Sequence, residues 1–365
     1  DICGNSSIEY GGGISHYGYS PNGQIHHNKI YFNSSADEGG GIMIAGELPA
    51  DPAILSPGAG PVDVYNNLIQ SNLANDDGGG LRFLMAGEFA YNVYNNMIVN
   101  NVSTHEGGGV SLNDAPDVRA YNNTIMKNIT TATALTSNGQ PAPAGLSSSR
   151  NSVLLQATLP PGAPVFSDPV LFNNVFWDNR AGALTTNGVV GIGLPGDTSP
   201  INYWDLGTGD GSGLLSPTYS VLQTTYGTVV DASNVLADPL VISPYDSELS
   251  ILAWRGNPNF VGTHISVVDL PVPLPGDYHL TVGSFAIDRG TDGTTTLPLV
   301  NAPATDYDDQ GRPSGAEFDI GADETQAALR TFTNVRLKTL ICNAIGNQAM
   351  FCRPERIKEG LNARK

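Results

Sequence analysis

The chain has 365 residues, of which only 14% are charged, while glycine (43 residues) and proline (25 residues) are abundant. This composition predicts few helices, many turns and an all-β fold. Eight of the 17 lysines and arginines lie in the last 41 residues, so the first 324 residues hold nine basic and 33 acidic side chains. A body this acidic repels nucleic acid and anionic lipid, and we expect neither as a partner.

The three cysteines, Cys3, Cys342 and Cys352, are too few for a disulfide framework and show neither CxxC nor CxxCH spacing. Their spacing argues against a cysteine zinc site and against covalent c-type haem, whereas a Cys342–Cys352 bridge stays open. No apolar run reaches the roughly 18 residues that a membrane-spanning helix needs. The chain begins inside its repeat pattern without a signal peptide, and we therefore expect a processed or partial chain.

A glycine triplet followed by an aliphatic residue recurs four times in the first third of the chain. The copies are Gly11-Gly12-Gly13-Ile14, Gly39-Gly40-Gly41-Ile42, Gly78-Gly79-Gly80-Leu81 and Gly107-Gly108-Gly109-Val110. Their starts are 28, 39 and 29 residues apart, a spacing typical of stacked coils with loop insertions. Glycine lets the backbone turn tightly and approach a neighbouring coil closely.

A second motif reads aromatic-Asn-Asn-x-apolar-x-x-Asn. Its copies span residues 65–72, 94–101, 121–128 and 172–179, with a weaker copy at 26–33. Within a copy the side chains alternate with a period of two, which is the periodicity of a strand. Asparagine carries both a donor and an acceptor, and it tolerates left-handed backbone at a sharp corner. The two motifs together predict a right-handed parallel β-helix in which asparagines stack from coil to coil.

The motifs also divide the chain. We expect regular coils over 1–187, looser terminal coils with a capping segment over 188–324, and a basic tail over 325–365. Two segments rich in proline, glycine and alanine, 49–61 and 136–164, predict loops on one rim, where solenoids carry function. The sequence of the tail predicts a short helix at 326–340 and another from Pro354. We expect the tail to be a cap over the last coil or a docking element.

Three elements near the end of the coils carry a family resemblance. They are Ala237-Asp238-Pro239-Leu240-Val241, the stretch from Gly276 to Gly290, and Asp319-Ile320-Gly321-Ala322-Asp323-Glu324. The sequence resembles bacterial right-handed β-helix repeat proteins that end in a choice-of-anchor Q type segment. Its glycine triplets and Phe176-Trp177-Asp178-Asn179 also resemble, more distantly, the repeats of chlamydial polymorphic outer-membrane adhesins. The resemblance implies a secreted, surface-attached β-helix of the kind found in adhesins.

Two acidic groups are candidate calcium sites, because calcium takes carboxylate oxygens from loops. The first consists of Asp306, Asp308 and Asp319. The second consists of Asp37, Asp76 and Glu106, which stand just before three glycine triplets and would form an acidic ridge along stacked coils. The alternative for both groups is a set of solvated turns. The six histidines show no metal-ligand spacing and favour polar surface roles.

Aromatic side chains are the candidates for carbohydrate binding, because exposed rings stack on sugar faces. They are Trp177, Tyr203, Trp204 and Trp254. The alternative is that each ring packs in the core or in a surface ladder. No P-loop, dinucleotide or G-x-S-x-G fingerprint occurs, and the glycine triplets precede strands rather than helices.

We expect a non-catalytic extracellular or cell-surface protein, adhesin-like or a structural scaffold of a larger assembly, with other surface proteins or polysaccharide as partners. The alternative is a carbohydrate-active enzyme, either a polysaccharide lyase or a glycoside hydrolase. A lyase needs converging carboxylates and a basic residue, and a hydrolase needs carboxylates about 5 to 10 Å apart. The arginines available on the central coils are Arg82, Arg119, Arg150 and Arg180, none of which adjoins a carboxylate pair in the sequence.

Asn5, Asn33, Asn101 and Asn128 are among the asparagines that lie in N-x-Ser/Thr sequons. A glycan at any of them requires an exposed side chain. Asn101 and Asn128 also occupy ladder positions, so a glycan on either would contradict an inward-facing ladder.

Overall fold

A computed structural model of the chain describes residues 1–247, 249–251, 265–267, 274–296 and 298–326. Residues Asp1–Glu324 form one unit, and the predicted right-handed parallel β-helix is confirmed there. The helix Val153–Gln156 interrupts an otherwise all-β structure in these ranges. Trp254, the helices predicted in the tail and the Cys342–Cys352 bridge lie outside the described residues.

Four parallel sheets run along the coils. The first stacks Ile2–Cys3, Lys29–Tyr31, Leu68–Gln70, Met97–Val99, Thr124–Met126, Val175–Trp177 and Val221–Leu222. The second stacks Ser6–Ser7, Ser34–Ser35, Leu73–Ala74, Val102–Ser103, Ile129–Thr130 and Arg180–Ala181. The third stacks Ile14–Tyr17, Ile42–Ala45, Leu81–Leu84, Val110–Leu112, Leu146–Ser148 and Leu206–Thr208, and the fourth stacks Gly23–His26, Val62–Tyr65, Tyr91–Tyr94, Val118–Tyr121 and Val170–Phe172.

Three antiparallel strand pairs occur in the described part of the chain after residue 182. They join Ala183–Thr185 to Gly188–Val190, Val241–Ser243 to Asp277–Leu280, and Leu249–Ile251 to Ile265–Val267. The predicted loop at 136–164 is wrong in two respects, because it contains the third-sheet strand Leu146–Ser148 and the helix Val153–Gln156. A single glycine, Gly145, precedes that strand instead of a triplet, so the repeat pattern did not reveal it.

Side chains in register build a continuous apolar core. Ile30, Ile69, Ile98, Ile125 and Phe176 occupy equivalent positions in the first sheet, and all five are fully buried. Burying each such side chain contributes about 1.5 to 3 kcal/mol relative to leaving it in water. The strand alternation that fills the core also fixes which residues face outward.

Sharp corners separate the fourth sheet from the first. Each is made by a residue with positive φ followed by an inward-facing residue. In four coils the first residue is Asn66, Asn95, Asn122 or Asn173, with φ between 51° and 53°. Asparagine adopts this left-handed conformation more readily than most side chains, which explains the first asparagine of the motif.

The inward asparagines form two ladders. One runs through Asn28, Asn67, Asn96, Asn123 and Asn174 to Ser220. The other runs through Asn5, Asn33, Asn72, Asn101, Asn128 and Asn179 to Asp205. The predicted stacking of asparagines is therefore confirmed at two corners of the coil.

Asn101 illustrates how a rung of the ladder is satisfied. Its Oδ1 accepts hydrogen bonds from the backbone N–H (3.0 Å) and the side-chain Nδ2 (2.9 Å) of Asn72. Its Nδ2 donates to the Ile69 carbonyl (2.8 Å) and to Asn128 Oδ1 (3.1 Å). Asn33, Asn101 and Asn128 are buried in this ladder, whereas Asn5 is exposed at its start.

The glycine triplets form a third corner, between the second and third sheets. The first glycine of each triplet has positive φ, and the second packs against the next coil. A Cβ on Gly40 would come within 2.5 Å of the Gly79 carbonyl oxygen. The third-to-fourth sheet connections vary from coil to coil, and they include the predicted loop at 49–61.

The terminal segment, residues 274–296 and 298–324, lies along the side of the coils. Its Tyr278, Leu280, Ala286, Ile320 and Ala322 pack against outward-facing first-sheet side chains, namely Met97, Val99, Met126 and Val175. The corner asparagines bind it as well: Nδ2 of Asn66 donates to the Asp306 carbonyl, that of Asn95 to the Thr305 carbonyl, and that of Asn173 to the Thr291 carbonyl.

Replacing Asn101 with alanine tests the ladder. The Asn101→Ala change leaves the buried backbone N–H of Asn72 without its acceptor and removes the bonds that Asn101 Nδ2 donates to Ile69 and Asn128, so we expect a loss of about 2 to 4 kcal/mol in the free energy of unfolding. Urea unfolding followed by circular dichroism measures the loss. Asn187→Ala, in an exposed hairpin turn, is the matched control and should change stability by less than about 0.5 kcal/mol. Equal effects of the two changes would contradict the ladder's role.

Candidate functional sites

A charged cluster of buried and half-buried side chains lies on the outer face of the third sheet. The cluster consists of Glu38, Asp76, Asp77, Arg82, His105 and Glu106. Arg82 lies beside Met43 and Ser111 in register, and it faces outward because Leu81 and Phe83 fill the core. The acidic residues come from the chain just before the glycine triplets, so coil stacking brings them over Arg82.

Arg82 is the centre of this charged cluster. Its Nε lies 3.0 Å from Glu38 Oε2, its Nη2 lies 3.1 Å from Asp77 Oδ2, and its Nη1 donates to Ser111 Oγ at 2.6 Å. The guanidinium side chain is only 4% exposed. Burial opposes its charge, but Glu38 and Asp77 outweigh burial and raise the pKa of Arg82. Arg82 in turn helps hold the pKa of the buried Asp77 below its ordinary value.

His105 and Glu106 extend the charged cluster toward the next coil. His105 Nδ1 lies 2.9 Å from Asp77 Oδ1 and 3.3 Å from Asp76 Oδ1. Burial opposes protonation of His105, but these two carboxylates outweigh it and raise the pKa of His105 to about 10. Burial and the Asp77 charge raise the pKa of Glu106 to about 7, and Ser147 Oγ donates to Glu106 Oε2 at 2.6 Å.

Two residues of the predicted acidic ridge, Asp76 and Glu106, therefore belong to a cluster of mixed charges, and the third, Asp37, lies near it. The pKa of Asp37 is raised, mainly by burial and to a smaller extent by the negative charge of Asp76. The ligand atoms of Asp76, Asp77 and His105 lie within 4.8 Å of one another, a spacing that could hold a metal ion. Arg82 and His105 supply positive charge beside the carboxylates, and sequence reasoning missed this pairing because Arg82 and Glu38 are 44 residues apart. Calcium binding at the ridge stays a prediction.

The other predicted calcium ligands take separate roles. Asp306 Oδ1 accepts hydrogen bonds from the backbone N–H groups of Asp308 and Gln310, and its Oδ2 accepts one from Glu324. Asp319 Oδ1 accepts from the Asp288 N–H at 2.8 Å. Asp306 and Asp319 thus organise backbone turns. Calcium binding by these residues stays a prediction.

Asp308 lies instead beside His279, with 3.0 Å between its Oδ2 and His279 Nε2. The ligand atoms of His279, Asp308 and Asp323 lie within 4.8 Å of one another. Sequence reasoning missed this group because the three residues come from distant parts of the terminal segment. The repeat pattern carried no signal for their proximity.

Three of the predicted sugar-binding aromatics, Trp177, Tyr203 and Trp204, lie among the described residues. Trp177 packs at the edge of the contact between the coils and the terminal segment. Trp204 contacts Tyr226 edge-to-face, with 4.8 Å between ring centroids. Tyr203 forms an isolated bridge with Arg180. Carbohydrate binding by these residues stays a prediction.

A different row of rings runs along the fourth sheet. It occupies the aromatic position of the repeat and contains His26, Tyr65, Tyr94, Tyr121 and Phe172. Successive centroids are 4.7 to 5.3 Å apart and the planes are within 8° of parallel. Beside it lies an outward polar row of Gln24, Asp63, Asn92 and Arg119. Both rows contribute to an open cleft of about 490 Å³ that is rimmed by residues 299–305.

Comparison with protein-family models, with curated proteins and with solved structures finds no match for this chain. In the part of the chain that the structure describes, no helix has the length and apolar character needed to cross a bilayer.

Replacing Arg82 with methionine tests the charge balance of the cluster. The Arg82→Met change leaves the largely buried Glu38 without its ion-pair partner and leaves Asp77 with His105 as its remaining cationic partner, so we expect a loss of about 3 to 5 kcal/mol in the free energy of unfolding. The matched control is Arg150→Met, whose partly exposed guanidinium lies 3.8 Å from Asp210. The control should lose less than about 1 kcal/mol. A loss of similar size in both variants would count against a compensating role for Arg82.

Glu106 should make stability depend on pH. Because its folded pKa of about 7 lies above its ordinary value of 4.5, the folded state binds more protons between these values, and stability falls as pH rises through this range. Replacing Glu106 with glutamine should flatten that part of the profile. Urea unfolding of both proteins at a series of pH values measures the difference. Glu47→Gln, at an exposed position, should leave the profile unchanged, and an unchanged profile in Glu106→Gln would refute the assignment.

Proposed function

We propose that this protein is a non-catalytic extracellular or cell-surface component, an adhesin-like or structural scaffold in a larger assembly. Two buried asparagine ladders and a row of stacked rings run along its coils. Such continuous stacking supports a stiff rod with long lateral faces, because each coil is bonded to its neighbours. The resemblance to surface-attached β-helix proteins supports the same location.

The observation that carries this proposal is the internal pairing of basic side chains on the coils. Arg82 pairs with Glu38 and Asp77, and Lys127 and Arg180 pair with Asp178. Arg119 pairs with Asp117. A polysaccharide lyase needs a base that reaches its substrate. Groups committed to buried or half-buried ion pairs are better suited to holding coils together.

The cleft along the fourth sheet is the surface best suited to a partner. Its Asp63 accepts a hydrogen bond from Asn92 Nδ2 at 2.7 Å, and Tyr94 and Tyr121 line the same cleft. Planar amide, carboxylate and phenol groups can bind either a neutral polysaccharide or a polar protein surface. The acidic body disfavours anionic polymers, whereas the basic tail suits an acidic neighbour.

An activity screen tests the proposal. The full chain is incubated with alginate, polygalacturonate, xylan and β-glucan, with calcium and with EDTA, and unsaturated products and new reducing ends are measured. The scaffold proposal predicts that every polymer keeps its length. Fluorescent xylan and β-glucan are also passed over immobilised protein, where Asp63→Lys should reduce any retention and Val153→Lys, on the exposed helix, should not.

Product release would overturn the proposal if it disappears in Glu106→Gln protein with an unchanged circular dichroism spectrum. That result would establish the carbohydrate-active alternative and place its chemistry on the third sheet. Calcium-dependent release would point to a lyase, and new reducing ends without unsaturation would point to a hydrolase.

A further inference from the structure

The group of His279, Asp308 and Asp323 brings together three stretches of the terminal segment. His279 lies on the strand Asp277–Leu280, Asp308 lies in the turn at 306–309, and Asp323 lies in the stretch 319–324. One ligand atom from each residue lies within 4.8 Å of the other two. The group is partly open, because the side chains of His279 and Asp308 are 29% and 39% exposed.

The imidazole of His279 is oriented by a fourth residue. Asp277 Oδ1 lies 2.5 Å from His279 Nδ1, which places the proton of a neutral ring on Nδ1 and leaves the Nε2 lone pair free. Nε2 is buried 3.0 Å from Asp308 Oδ2, yet it makes no well-aligned hydrogen bond. A histidine that binds a metal through one ring nitrogen usually donates a hydrogen bond from the other nitrogen to a carboxylate. His279 has this arrangement, with Asp277 at Nδ1 and the carboxylate of Asp308 near Nε2.

Asp323 is held in place by the backbone. Its Oδ2 accepts a hydrogen bond from the Leu280 N–H at 2.7 Å, so its other oxygen remains for a ligand. The side chain is nearly buried, and burial raises the pKa of Asp323 to about 6. A buried carboxylate is stabilised by a cation, and neighbouring Asp308 adds a second negative charge.

We propose that His279, Asp308 and Asp323 bind a divalent transition-metal ion of the zinc class, with Asp277 as the orienting residue. One imidazole nitrogen and two carboxylate oxygens are ligands that zinc accepts, with water completing the shell. Calcium prefers all-oxygen ligand sets, so the imidazole disfavours it. The site shares only Asp308 with the predicted calcium group and does not depend on the scaffold function.

The ion would link three stretches of the terminal segment to one another, next to the coils. The turn that carries Asp308 also carries Asp309, whose carboxylate contacts His27 and Asn66 of the coils. Joining the strand, the turn and the stretch 319–324 would oppose peeling of the terminal segment. Binding to the folded chain alone raises thermal stability by mass action.

Titration calorimetry of EDTA-treated, dialysed full-length protein with ZnCl₂ tests the site. We expect saturable zinc binding with a matching rise in melting temperature, and no competition from CaCl₂. Saturable binding at this site should be lost in His279→Gln and in Asp323→Asn, and weakened about 10- to 100-fold in Asp277→Asn. His105→Gln, which alters a histidine outside the group, should leave this binding unchanged.

Anomalous scattering from zinc-soaked crystals of the unaltered protein locates the ion independently of any variant. A peak beside His279 Nε2 would support the proposal. Zinc binding that survives in His279→Gln, or a peak only beside Asp76, Asp77 and His105, would overturn it. Absence of saturable binding would also overturn the proposal. The alternative interpretation would then be a protonated His279 that bridges the carboxylates of Asp277 and Asp308.

Discussion

From Asn33 to Asn179, each coil of this protein turns twice through a corner whose inward polar side chain is buried. At each corner the chain turns through a residue with positive φ, and the next side chain points inward. Backbone N–H and C=O groups there need partners, because an unpaired buried polar group costs about 1 to 3 kcal/mol. The inward asparagines meet that need, since each amide accepts from one neighbouring coil and donates to the other. The remaining features of the structure depend on these asparagine hydrogen bonds, which repeat from coil to coil.

The ladders fix the register of the coils, and the register places the functional candidates. It brings Glu38 beside Arg82, which lies on the next coil together with Asp77. It also stacks the rings of Tyr65, Tyr94 and Tyr121 on the fourth sheet. The outward asparagines of the corners serve a further purpose, because their amides bind the terminal segment along the first sheet. The stacking of the coils therefore determines where the ion pairs form and where the terminal segment binds.

The coils could be predicted from the sequence because their constraint is local and periodic. Asn66-Asn67 repeats as Asn95-Asn96, and the glycine triplets recur at the corner where the next coil leaves no room for a Cβ. The strand Leu146–Ser148 escaped detection because its corner has one glycine. Arg82 with Glu38, and His279 with Asp308, could not be predicted, because their proximity depends on coil spacing and on the path of the terminal segment. These two pairs are therefore tertiary contacts, which the local sequence pattern does not reveal.

Native-state hydrogen exchange tests the role of the ladders most directly. The backbone N–H groups of Asn72 and Asn101 each donate to the side-chain oxygen of the next rung. If the ladders hold the coils together, these amides exchange only through global unfolding, at the rate of the core amides of Ile69 and Ile98. Exchange of the ladder amides as fast as that of Asn187, in the exposed hairpin, would contradict the account.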